Sequence, residues 1–177
     1  LFLYRRSEAV VALTPAFKDN LVSRGIAEDK ICVVMNGVDT WRYGYRERDP
    51  QLAGEWDLDG CFVVGYVGTH GMAHALGNIL DAAEKLKGRA DIRFLLAGAG
   101  AEREALIADA QQRRLSNVIF MPPQPKDAMP GVWSLCDVAL VHLKNQPVFA
   151  GVIPSKMFEA MAMGLPVLMA APEGEAS

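Results

Sequence analysis

The chain has 177 residues, 51% of them apolar, and a formal net charge of −3. That length supports a domain with a full core. The mixed composition excludes a disordered chain, and the slight acidity leaves no broad basic surface for nucleic acid. Three scattered cysteines, Cys32, Cys61 and Cys136, make neither a CxxC ligand pair nor an even-numbered disulfide framework, which points to a reducing, cytosolic setting. The longest apolar runs are broken by Asp137, Lys144 or Gly164 and are too short to span a membrane; the first residues carry no signal-peptide pattern.

Ala9 to Leu13 is a continuous apolar run, as in a strand buried on both faces. Thr14-Pro15 then starts a helix that ends at Gly25. Ile31 to Met35 reads as a second strand, closed by the Asn36-Gly37 turn signal. Asp39 to Asp59 changes character, with many charges, Trp41, Tyr43 and Tyr45 between them, and a short helix expected from Pro50 to Glu55. Nucleic-acid stacking would use such aromatics; pinning a crossing segment onto a domain surface is the preferred reading.

A regular alternation follows. Strands are expected at Phe62–Val67, Ile92–Ala97, Val118–Met121, Val138–His142 and Val167–Ala170. Helices are expected at His74–Lys87, Ala101–Arg114 and Ser155–Met163, with a short one in Lys126–Leu135 interrupted by Pro130-Gly131. This rhythm predicts an α/β fold, a Rossmann-like doubly wound parallel sheet with helices on both faces. Ligands bind such sheets at the carboxyl ends of the strands.

Two stretches sit there. Gly68-Thr69-His70-Gly71 joins a strand to a helix, and its glycines let the backbone approach a phosphate. Its spacing is neither the dinucleotide fingerprint nor a P-loop. Pro154-Ser155-Lys156 starts a helix, with Ser155 a suitable N-cap and Lys156 a positive charge beside free amides, while Glu159 is polar on an otherwise apolar helix. A capped core helix is the competing reading, and the position after a strand end favours the anion site.

Other candidates are weaker. His70 and His74 are four apart, but Gly71 breaks the helix between them, so a metal is not expected; His70 could instead touch a phosphate or sugar hydroxyl. Asp57-Leu58-Asp59 matches a DxD ion-binding pattern but precedes a strand, where a turn is the better reading. His142 and Asn145 follow a strand end, and Asp137 is expected to cap or pair structurally.

Several motifs together resemble the C-terminal, donor-binding half of a GT-B glycosyltransferase of group 1, or family 4. They are Val34-Met35-Asn36-Gly37-Val38-Asp39, Gly65-Tyr66-Val67-Gly68, Phe94-Leu95-Leu96-Ala97-Gly98-Ala99-Gly100, Asn117-Val118-Ile119-Phe120, and Pro154-Ser155-Lys156-Met157-Phe158-Glu159-Ala160-Met161-Ala162-Met163-Gly164-Leu165-Pro166-Val167. The bacterial surface-polysaccharide subgroup is the nearest in pattern. The resemblance implies a retaining transferase that moves a sugar from a nucleotide-diphosphate sugar, a UDP-sugar by preference, to a saccharide or lipid-linked acceptor. Residues 1–39 would be the tail of the acceptor domain and the interdomain crossing, and 40–177 an incomplete donor domain. The start at Leu1 and the stop just after a predicted strand fit such a piece, inactive alone.

The resemblance also implies roles. Gly68, Thr69, His70, Gly71 and Ser155 would cradle the diphosphate, Lys156 would supply charge, Glu159 would accept from the ribose, and Pro123 and Gln124 would meet the base. Lys156 and Glu159 carry the catalytic role, with no metal or cofactor. The acceptor would be held by the other half, in a cytoplasmic protein able to sit peripherally on the membrane. Two departures stand out. Eight positions before Glu159, where the family has a glutamate facing the donor sugar, stands Gly151, and Thr69 and His74 stand where many members have Arg and Lys. A noncatalytic nucleotide-binding or interaction domain and a GT-B sugar-nucleotide epimerase are the alternatives.

Overall fold

The computed structural model describes residues 1–177. Five parallel strands, β3 (Phe62–Val67), β4 (Ile92–Ala97), β5 (Val118–Met121), β6 (Val138–His142) and β7 (Val167–Ala170), form one sheet in the order β5-β4-β3-β6-β7. The expected α/β parallel sheet is what the chain forms. Before it, β1 (Val10–Ala12) and β2 (Ile31–Val33) pair in parallel as a separate ribbon around helix α2 (Pro15–Ser23). A short helix α1 (Phe2–Arg6), not anticipated from sequence, precedes them with no buried residue.

Strand alternation divides the core in two. Val63, Val67, Leu95 and Ala97 point to one face, with Trp133, Leu135 and Met163 against them. Tyr66, Phe94 and Leu96 point to the other, beneath helices α4 (Gly77–Lys85) and α5 (Arg103–Gln112). This is the period of two that an inner strand imposes. Gly65 belongs to the same pattern: a Cβ there would lie 2.1 Å from the Cys136 sulfur, so only glycine fits.

The remaining helices are α3 (Pro50–Glu55), α6 (Met129–Ser134) and α7 (Ser155–Ala162). Two expectations shift. The helix expected from His74 begins at Gly77, because Met72–His74 form a 3₁₀ turn and Ala75 is left-handed, at φ 45°. Pro130 does not interrupt α6; it lies in the first turn, where its missing N–H costs nothing.

The crossing segment is anchored more selectively than expected. Tyr43 is buried at 4% exposure within the first core, whereas Trp41 and Tyr45 stand out at 99% and 79%. Arg48 donates to the carbonyls of Leu58 and Cys61 and pairs with Asp137, whose carboxylate also accepts from the Val63 amide at 2.7 Å. Asp137 therefore pairs structurally, as expected. Asp57, at φ 54°, and Gly60, at φ 65°, turn the chain into the start of β3, opposite the carboxyl ends.

Strand order reverses about β3: its neighbour β4 leads outward one way and β6 the other. A crevice opens at the carboxyl ends on such a reversal.

Candidate functional site

The crevice is a cleft of about 610 Å³. Its lining includes Gly68 and Thr69 after β3, Pro123 and Gln124 after β5, and Ser155, Lys156 and Glu159 on α7. Residues expected together from three distant stretches thus share one wall-to-wall space. Tyr43, His74, Lys126 and Met129 join them.

Helix α7 starts differently from the expectation. Pro154, with ψ 127°, is the last extended residue and holds the N-cap position; no side chain caps it. Ser155 is already the first residue of the helix, so it is not the N-cap. It is an exposed first-turn residue instead, and its hydroxyl is not consumed by a cap bond. The first-turn amides of any helix lack intrahelical partners, and the partial positive charge there favours an anion.

Lys156 crosses the cleft floor. Its Nζ lies 3.7 Å from the centroid of the Tyr66 ring and has no hydrogen-bond partner. Burial pulls its ammonium down to about 7, against a smaller upward pull from Glu159. A cation held only by a ring face is incompletely satisfied. Gly68 makes room for it: φ is +140°, and a Cβ there would sit 2.8 Å from Nζ. Gly98, at φ +143°, lets the second loop touch the first, since its Cβ would fall 2.0 Å from the Gly68 oxygen.

His70 and Gly71 are not part of the cleft lining. The His70 side chain is 0% exposed, packed between the rings of Tyr66 and Phe120, with both ring nitrogens unpartnered. Burial first, then Arg103, Lys156 and His74, pull it down to about 4, so it is neutral. The expected polar contact of His70 with a ligand is corrected accordingly: this imidazole packs behind the loop, while its backbone N–H donates to the Ala99 carbonyl at 2.8 Å. His74 turns to the cleft instead, lowered by burial and by Lys156. His142 pairs with Asn78 at 3.3 Å, and Asn145 is exposed outside the cleft.

Glu159 has partners that sequence reasoning missed. The indole N–H of Trp133 donates to Glu159 Oε2 at 3.1 Å. The Tyr43 phenol is pushed up to about 12, by burial first and then by the adjacent Glu159 carboxylate. One signal could have found the first pairing: a buried indole needs an acceptor, and Glu159 is the one carboxylate on the apolar α7.

Gly151 lies outside the cleft. Its carbonyl accepts from Thr14 Oγ1 at 2.8 Å, and a Cβ would lie 3.2 Å from the Ala16 Cβ and 3.4 Å from the Phe17 ring. Beside it, Glu175 Oε1 accepts from the Ala16 amide at the start of α2, at 2.9 Å.

A reversed-order parallel sheet with a glycine loop, a helix start and a buried lysine at one cleft defines a doubly wound α/β domain with its crevice at the carboxyl ends of the strands. The profile described as "Glycosyl transferases group 1" matches residues 61–176. The chain belongs to that family. It is 29% identical over 158 residues, 88% of this chain and 38% of the relative, to the putative colanic acid biosynthesis glycosyl transferase WcaI of Escherichia coli K12. It is 26% identical over 94% of its length, and 40% of the relative, to a GDP-mannose-dependent alpha-mannosyltransferase of Mycobacterium tuberculosis. The crystal structure of Anabaena Alr3699/HepE with UDP-glucose shares the fold, with a TM-score of 0.79 at 21% identity over 98% of this chain and 48% of that one. The chain spans about two fifths of the curated relatives it matches.

Proposed function

We propose that this chain is the donor-binding part of a retaining glycosyltransferase that moves a sugar from a UDP-sugar to a saccharide or lipid-linked acceptor in polysaccharide synthesis. The observation that carries the reading is Lys156: a buried, unpartnered ammonium in a cleft shared by a glycine loop and a helix start. The colanic acid relative and the UDP-glucose complex of the fold neighbour support it.

In this reading the diphosphate lies between Gly68-Thr69 and the first turn of α7, against Lys156. Glu159 accepts from the ribose, and the base rests on Pro123 and Gln124. When the bond from the anomeric carbon to the phosphate oxygen breaks, the electron pair leaves on the diphosphate. Free amides and the lysine then stabilise the charge that builds there. The contribution of this half is leaving-group stabilisation and positioning.

Residues 1–39 are assigned to the acceptor lobe and the crossing, and 40–177 to the donor lobe. The burial of Tyr43 in the large core and the Arg48 ties support a boundary there. The acceptor requires the other lobe, so this chain alone does not turn over. The working place is the cytoplasm, at the inner face of the membrane where lipid-linked acceptors reside; no helix of the chain is long and apolar enough to cross it.

Calorimetry tests the reading. UDP binding that is weakened by about tenfold or more in both Lys156→Ala and Glu159→Ala is the expected result. Binding of GDP in place of UDP would change the base, and binding of neither would sink the donor site.

A further inference from the structure

Glu159 does not stand free in the cleft. One carboxylate oxygen accepts from the Trp133 indole at 3.1 Å, and the Trp133 ring is 0% exposed, locked among core residues of α6 and the sheet. Tyr43, also buried, closes the other flank from the crossing segment. Its phenol lies within hydrogen-bonding reach of the same carboxylate, so Glu159 is gripped from two sides. An indole N–H only donates, and its ring cannot turn away without opening the core. A carboxylate held at one oxygen is an oriented acceptor; held at neither, it rotates and its lone pairs sample the cleft at random.

We infer that Trp133, braced by Tyr43, is a positioning residue that fixes Glu159 so that the donor site discriminates ribose from a sugar lacking its hydroxyls. This rests on the donor-site reading above. It adds that nucleotide selectivity is set from α6 and from the crossing segment, by residues that do not touch the phosphates. The difference between a fixed and a free acceptor should appear only for ligands that carry the hydroxyl. The diphosphate contacts at Lys156 and Gly68 lie elsewhere in the cleft and are blind to it.

The test compares UDP with its 2′,3′-dideoxy analogue on the full chain by calorimetry. Wild type should prefer UDP by roughly ten- to a hundredfold, the range for a hydrogen bond to a charged group. Trp133→Phe keeps an aromatic ring in the core and removes the N–H. It should cut that preference to about threefold or less while the dideoxy affinity stays unchanged. Tyr43→Phe should cut it less. If Trp133→Phe weakens both ligands alike, or neither, Trp133 is structural only and the inference is wrong. If wild type binds neither nucleotide, the donor-site reading itself fails. Should Trp133→Phe not fold, the indole N–H resonance of the wild-type chain decides. It should move when UDP binds and stay in place with the dideoxy analogue; an equal response to both overturns the inference.

Discussion

The two ends of the stretch from Gly151 to Glu159 have opposite surroundings. At Glu159 the side chain faces an open cleft and is gripped from behind by Trp133. At Gly151 there is no side chain, and the space is filled by Ala16 and Phe17 of the N-terminal segment. One end borders an open cleft and the other is a seam between two parts of the chain. The lesson is that a spacing that could serve one paired-carboxylate device is here divided between two tasks. The Glu159 end carries a charge into the cleft, and the Gly151 end is a packing contact.

Four experiments would break or sharpen that contrast. The largest effect is expected at Lys156: Lys156→Ala should lower UDP affinity by about thirty- to a hundredfold, whereas Gly151→Ala should leave it within about twofold. Equal losses at the two positions would erase the distinction. Next, restoring a carboxylate with Gly151→Glu should destabilise the fold by about 1–3 kcal/mol through crowding of Ala16 and Phe17. Urea unfolding measures this, and a gain in stability or in donor affinity would mean that the seam opens freely.

Acidity gives a smaller effect with a fixed sign. In the empty cleft Lys156 is charged below about 7 and neutral above it. UDP affinity should therefore fall by about tenfold from about pH 6 to about pH 8.5. Binding near the upper end should take up a proton, read from heats in buffers of different ionisation enthalpy. The stability of the empty protein runs the other way. The unfolded chain holds the Lys156 proton up to about 10.4, so stability rises with pH between about 7 and about 10.

The smallest effect concerns His70. Its folded value of about 4 lies below the ordinary one, so its neutral burial costs stability as pH falls from about 6.5 to about 4. His70→Leu removes two unpartnered nitrogens. It should raise stability by about 1 kcal/mol near neutrality and flatten that acid limb, with UDP affinity unchanged. A loss of affinity would return His70 to the ligand.

Much of the fold was legible in the residues. The five strands of the main sheet stand where apolar runs between turn signals put them, most plainly the inner strands β3, β4 and β6, which helices or core cover on both faces. The gathering of Gly68, Ser155, Lys156 and Glu159 was also legible, since all follow strand ends. What could not be read depended on contacts distant in sequence. Trp41, Tyr43 and Tyr45 look alike in a charged segment, and only the core beneath decides that Tyr43 goes in. His70 sits in a glycine loop beside Thr69, yet its ring turns back between Tyr66 and Phe120. The left-handed Ala75, which delays α4, has no local sign because alanine rarely adopts that conformation. Ser155 has the right chemistry for a cap but stands one residue too late, since Pro154 already ends the extended chain.

The contact of Gly68 with Gly98 has a consequence for timing. The two loops meet backbone to backbone, and the Gly68 amide donates to the Ala97 carbonyl at 2.9 Å, so no side chain lies between them to swing aside. The backbone of the cleft floor is set during folding, and a ligand reaching it has only side chains such as Lys156 left to order. Nucleotide arrival should then follow a single exponential whose rate climbs linearly with concentration. A plateau would be the signature of a slow rearrangement preceding capture.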